Sequence, residues 1–163
     1  MVRGGGVGDG LVSGHWRFRP ALGADLAFAR ELTRQNMMAY YCEYNLLWLD
    51  EAFDQAWAGR QNELLCDGEQ VLGFVSFSRD ARALYIRELQ LIEAGRGQGL
   101  GGWLIRQARE IAFREGRREL RLTVFKSNPA QRLYLRQGLA VVGEDECFLR
   151  MSLTASRPTS GNY

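Results

Sequence analysis

The sequence predicts an α/β (α+β) chain built on a mixed, mostly antiparallel central sheet. Three observations carry this reading: segments of two-residue alternation clustered in mid-chain, segments of helical spacing around them, and a strand that runs through a glycine-rich turn into a helix. They give the order β-α-α-β-β-β-α-β-α-β-β in one domain over residues 15–153. With 163 residues, 46% hydrophobic and 25% charged, the chain can bury a core without a metal or disulfide staple.

Residues 1–14, MVRGGGVGDGLVSG, have little to bury and are expected to be a flexible leader. His15 to Arg19 alternates in polarity and stops at Pro20, as a short strand does. From Ala24, residues Leu26, Ala29, Leu32 and Thr33 recur at helical spacing, and the pattern continues into Met37, Tyr40 and Tyr41. A second helix is expected after Asp50 as N-cap, with Leu49, Phe53 and Trp57 spaced by four. Glu63 to Cys66 and Val71 to Phe77 read as strands joined by Asp67-Gly68, a dipeptide suited to a type I′ turn.

The third strand of this meander, Leu84 to Leu91, changes phase. Leu84 and Ile86 share one parity and Leu89 and Leu91 the other, and one extra residue at Arg87-Glu88 is what a β-bulge produces. After the glycines a helix is expected to open at Trp103, with Leu104, Ile105, Ala108, Ile111 and Ala112 on its apolar face and Gly116 as its stop. Leu120, Leu122 and Val124 alternate as a strand. Asn128 is expected to cap a short helix with Pro129 in its first turn and Gly138 beyond its end. Strands Leu139 to Gly143 and Cys147 to Leu153 flank an acidic turn, and residues 154–163 are expected to fray.

Composition excludes several functions. The net charge of +2 comes from interspersed acids and bases, so nucleic acid is not the expected partner. Cys42, Cys66 and Cys147 lie far apart with no CxxC spacing, which speaks against a disulfide framework or a zinc site. His15 is the single histidine, leaving no room for a multi-histidine metal centre. Without a bilayer-length apolar run or a signal-peptide layout, a soluble, cytoplasmic protein with no membrane partner is expected.

A glycine-rich turn between strand and helix converges backbone N–H groups and the helix's positive end on one point, where an anionic phosphate binds well. Gly97-Gln98-Gly99-Leu100-Gly101-Gly102 satisfies GxGxxG, but the turn sits behind an antiparallel meander without repeated βαβ halves, against a Rossmann domain. A Walker A loop fails because Trp103 stands where lysine is required.

Arg96-Gly97-Gln98-Gly99-Leu100-Gly101 resembles the Q/R-x-x-G-x-G/A signature of the GNAT superfamily of acetyl-CoA-dependent N-acetyltransferases. Asn128-Pro129-Ala130 with Leu133-Tyr134 and Gly138 resembles its second cofactor motif. The resemblance spans roughly residues 15–153 and implies a GNAT-like sheet, acetyl-CoA as co-substrate and no metal. It implies that Leu89, Gln90 and Leu91 hold the pantetheine where a bulge splays the strand. The pyrophosphate would lie on Gly97, Gln98, Gly99, Leu100, Gly101 and Gly102 with Arg96 assisting, Asn128 would contact the cofactor, and Tyr134 would also serve as the acid for the leaving thiolate. Two departures stand out. Asn128 and Tyr134 are one residue closer than the commonest family spacing, and Thr123 occupies the strand position where some members carry their base.

The residues leave other roles open. Glu88 is a carboxylate in an otherwise apolar strand, placed there either to take the ammonium proton or to pair with an arginine. Tyr40, Tyr41, Glu43, Tyr44 and Trp48 offer aromatic faces and one carboxylate suited to a cationic amine, or else pack the first two helices together. Cys147 lacks a visible activating partner, so direct transfer in a ternary complex is expected rather than an acetyl-enzyme. The function expected is acetyl transfer to the primary amine of a small molecule. A protein or peptide amine and a non-catalytic acyl-CoA-binding module are the alternatives. Related folds often pair through their last strands, which admits a homodimer.

Overall fold

A computed structural model describes residues 15–155. Seven strands, β1 (Trp16–Pro20), β2 (Gln61–Asp67), β3 (Gln70–Arg79), β4 (Ala83–Leu91), β5 (Glu119–Phe125), β6 (Ala140–Glu144) and β7 (Phe148–Thr154), form one sheet in the order β1-β2-β3-β4-β5-β7-β6. Every neighbouring pair is antiparallel except β4 and β5. The helices are α1 (Leu26–Glu43), α2 (Asp50–Ala58), α3 (Leu100–Arg114) and α4 (Gln131–Arg136). Element order and sheet type agree with the sequence reading. The expected leader lies outside the described residues.

The sheet is covered on both faces, which is why β3 reads as a nearly continuous apolar run. On one face Trp103, Leu104, Ile105 and Ala108 of α3 and Tyr134 of α4 pack with Val75, Phe77, Leu84, Ile86, Leu120, Leu122 and Met151. On the other, Ala29 and Leu32 of α1 and Phe53 of α2 pack with Leu64, Cys66 and Phe74.

Local chemistry shifts several expected boundaries. Asp50 is the first residue of α2 rather than its cap, because its Oδ1 accepts a 2.7 Å hydrogen bond from the Trp48 indole N–H. The β2–β3 loop is Gly68-Glu69, since Asp67 pairs with Gln70. Only Gly68 of the two has positive φ, so the turn is not type I′. Helix α3 opens at Leu100, three residues before Trp103, with Gly99 at φ 84° as its N-cap. Asn128 Oδ1 accepts from the Ala130 N–H at 2.9 Å and closes a turn ahead of α4 instead of capping the helix itself. At the C-terminal end, Thr154 pairs with Glu119 and the Ala155 N–H donates to the Arg118 carbonyl, so neither residue belongs to a frayed tail.

The phase change in β4 is a bulge. Ser76 faces Glu88 and Phe77 faces Ile86, leaving Arg87 as the extra residue. Beyond it the strand needs Gly73 opposite, because a Cβ there would meet the Gln90 carbonyl oxygen at 2.1 Å and the Leu91 Cα at 2.9 Å. Both obstacles are backbone and cannot rotate away. Gly73→Ala is therefore expected to destabilise the fold by at least the ~1–3 kcal/mol of an overpacked core, read as a lowered melting temperature.

Candidate active site

Parallel pairing between β4 and β5 runs from Ala83–Glu119 to Ile86–Leu122 and then stops. Past that point β4 pairs only with β3, and β5 only with β7, so the sheet opens as a wedge. Two cavities fill it. One, of about 520 Å³, is bounded by Asn36, Met37 and Tyr40 of α1, Leu89 and Leu91 of β4, Gly101 of α3 and Leu133 of α4. The other, of about 690 Å³, extends over Tyr85, Arg87, Thr123 and Arg150. Both are lined by Glu88's neighbours Leu89 and Gln90, and by Asn128 and Tyr134.

The smaller cavity leads to the glycine turn. Gly97 and Gly99 take φ of 72° and 84°, a conformation that side chains resist, and they wrap the chain around the start of α3. The first intrahelical bond runs from the Trp103 N–H to the Gly99 carbonyl at 3.0 Å, so the amides of Leu100, Gly101 and Gly102 have no intrahelical acceptor. Convergent donors at a helix N-terminus suit a diphosphate. Gly101 and Gly102 have a second use: a Cβ at either would meet Leu133 Cδ2 at 2.7 Å or Gln137 Nε2 at 2.9 Å, so they let α4 close on α3. Arg96 donates to Asn36 Oδ1 at 2.8 Å and to the Leu91 carbonyl at 3.2 Å, tying α1 to the end of β4. Gln98 donates to the Ala94 carbonyl and folds the loop back.

Tyr134 is 8% exposed and stands where the cavities meet. Burial, with the Glu88 carboxylate second, pushes its phenol up to about 12, so the hydroxyl stays protonated across neutral pH. Burial also raises Glu88, opposed by a 3.0 Å hydrogen bond from Gln90 Nε2 and by the charge of Arg60. Glu88 makes no ion pair among the described residues; its hydrogen-bond partner is an amide. The Gln90 side chain is buried against α1, accepts from Asn36 Nδ2 at 3.1 Å and donates to the Glu88 carboxylate, while the residue lines both cavities.

Of the acceptor candidates, Tyr41 lines the larger cavity. Tyr40 lines the smaller one and stacks on Phe125 at 5.3 Å. Glu43 accepts from Ser127 Oγ at 2.7 Å, Tyr44 donates to the same hydroxyl at 3.1 Å, and Trp48 packs on Phe53 and Tyr41, so these three brace α1 outside the cavity. None of the three cysteines lines either cavity. Among the described residues no cluster of three or more His, Cys, Asp or Glu could hold a metal, and no helix is long and apolar enough to cross a membrane. Sequence reasoning did not single out Asn36, Arg60, Arg121 or Arg150. The polar residues alternating with Leu120, Leu122 and Met151 were the available signal for the last two.

A model described as the acetyltransferase (GNAT) family matches residues 27–139. Among solved structures, the chain is similar to a spermidine N-acetyltransferase from Vibrio cholerae, in complex with CoA and spermine. Identity is 18% over 87% of this chain and 96% of that one, with a TM-score of 0.69. It is similar at 18% identity, over 85% and 98%, to the PaiA N-acetyltransferase from Thermoplasma acidophilum in complex with coenzyme A (TM-score 0.67). A ribosomal-protein alanine N-acetyltransferase from Escherichia coli is 19% identical over 91% and 99%, with a TM-score of 0.69. At such identities these structures bear on the fold.

The Gln90 amide favours the ionised form of Glu88. Gln90→Leu is expected to raise the Glu88 titration midpoint, followed by carboxyl-carbon NMR; a fall would show that Gln90 acts otherwise.

Proposed function

The chain belongs to the acetyltransferase (GNAT) family of acetyl-CoA-dependent acyltransferases, and within it we propose an N-acetyltransferase that acts on the primary amine of a small molecule by direct attack. The observation that carries this reading is the meeting of two cavities at Tyr134, with Glu88 beside the larger.

Acetyl-CoA supplies a thioester: an amide bond forms between the amine nitrogen and the acetyl carbon as the C–S bond breaks, leaving a thiolate. The amides of Leu100 to Gly102 would take the pyrophosphate, and the unpaired edge of β4 around Leu89 the pantetheine. Asn36 and Arg96 already occupy the Leu91 carbonyl, so Leu91 would contribute its side chain and Arg96 would position the strand. Asn128, lining both cavities with its Oδ1 engaged by Ala130, keeps its amide nitrogen for the passage between them.

Glu88 receives the proton that the ammonium must lose before it attacks. A carboxylate raised by burial is a better base than an exposed one, since its affinity for the proton moves toward the working pH. Tyr134 gives the thiolate a proton from its hydroxyl, and the proton that the nitrogen sheds as the amide forms restores the phenol. Thr123, exposed on β5, has no basic group to offer, which leaves the proton transfer to β4.

Release of free CoA from acetyl-CoA across a panel of amines tests the activity, and tight acetyl-CoA binding without release from any amine would favour a binding module. Tyr134→Phe is expected to lower kcat roughly 100-fold or more while acetyl-CoA affinity is kept. Loss of affinity with unchanged kcat would remove Tyr134 from the chemistry. For Glu88→Gln, the acidic limb of the kcat/KM profile should disappear. If that limb survives in the variant, the base is another group.

A further inference from the structure

The larger cavity carries more positive charge than acetyl transfer requires. Its walls include four arginines, Arg60, Arg87, Arg121 and Arg150, and a single carboxylate, Glu88. Strand parity explains the gathering. Leu84, Leu120, Leu122 and Met151 face α3, so Tyr85, Arg121 and Arg150 between them face the opposite side. Arg87 shares the parity of Tyr85 and so lies on that side, the bulge brings Glu88 to it, and Arg60 joins from the loop after α2.

Little of this charge is neutralised by the protein. Arg121 pairs with Glu119 at 2.6 Å, yet its Nε is buried without a hydrogen-bond partner. Arg87 donates to Ser78 Oγ at 2.7 Å and lies 4.3 Å over the Tyr85 ring, neither of which is an anion. Arg60 feels the attraction of Glu88 and the repulsion of Arg87, and Arg150 attracts Asp145 from a distance. Among the described residues Arg60, Arg87 and Arg150 make no ion pair. Guanidinium groups held together around a partly desolvated cavity repel one another and repel a second cation, while their planar forks match a carboxylate.

Building on the acetyltransferase reading, we infer that the acceptor is an amino acid or a similar small molecule in which the reacting amine is joined to an anionic group. The ammonium faces Glu88 and Tyr134, and the carboxylate lies among Arg87, Arg121 and Arg150. Proton and acyl movements are those already given; the arginines bind and orient. This replaces the cationic acceptor expected from the aromatic residues of α1, because the carboxylate counted toward it, Glu43, is held by Ser127 outside the cavity.

The test measures CoA release for amino acids, for the same amines lacking the carboxylate, for linear polyamines and for short acidic peptides. Equilibrium binding of each to the CoA-loaded protein is measured in parallel. Amino acids should exceed their decarboxylated partners in kcat/KM and in affinity by about tenfold or more. Arg150→Gln and Arg87→Gln should shrink that ratio through KM, with Arg→Lys restoring part of it and melting temperatures confirming folded protein. Equal use of both partners, or preference for polyamines or peptides, overturns the inference while leaving the acetyltransferase reading intact. Carboxylate-dependent binding with no CoA release from any acceptor upholds the anion site and overturns the acetyltransferase reading instead. Absence of both binding and release overturns the inference.

Discussion

The rest of the site depends on how β4 divides its allegiance between its two neighbours. Parallel bonding to β5 ends at Ile86–Leu122, while antiparallel bonding to β3 continues to Leu91 across the bulge at Arg87. Side chains alternate along a strand, so without the bulge Glu88 would share the parity of Leu84 and Ile86 and point at the α3 core. One inserted residue sends Glu88 and Gln90 to the α1 side and returns Leu89 and Leu91 to the α3 side. The same irregularity thus opens the wedge, leaves an unpaired strand edge along it, and sets a carboxylate at its rim.

The glycine turn is coupled to this wedge through α4. Gly101 and Gly102 leave the space that the ends of the Leu133 and Gln137 side chains take against α3, and Tyr134 follows Leu133 in sequence. The residues that free amides for an anion therefore also make room for the helix that carries the phenol. Beneath the turn, Trp16 meets Trp103 edge-on at 5.9 Å and Phe18 meets Trp103 at 5.3 Å, so the first strand supports the start of α3. Two motifs far apart in sequence become one device because both rest on the same helix.

What could be read from sequence was what depends on local order. The parity break in Leu84 to Leu91 revealed the bulge, and glycine spacing marked the turn, because both are consequences of neighbouring residues. Asp50, Glu43 and Trp48 were harder, since an N-cap and a ligand-facing carboxylate use the same residue types as a brace. The Trp48 indole and the Ser127 hydroxyl decide between those roles, and Ser127 lies 84 residues from Glu43. Arg60, Arg121 and Arg150 come from three separate elements. Each alone is an ordinary polar residue; the sheet order β4-β5-β7 brings Arg121 and Arg150 beside Arg87, and Arg60 reaches them from the loop after α2.

That assembly also bears on the proposed base. The Gln90 amide and the charge of Arg60 favour the ionised form of Glu88, yet burial outweighs both and holds Glu88 above its ordinary value. The balance is therefore open to anything that changes the charge of the cavity. A bound carboxylate cancels part of the arginines' field and adds a negative charge near Glu88, and both effects raise the affinity of Glu88 for a proton. An anionic acceptor would thus strengthen the base that activates its own amine, whereas a polyamine would bring further positive charge and weaken it. Selectivity and basicity then follow from one electrostatic arrangement, with the bulged residue Arg87 beside Glu88 in the chain at its centre.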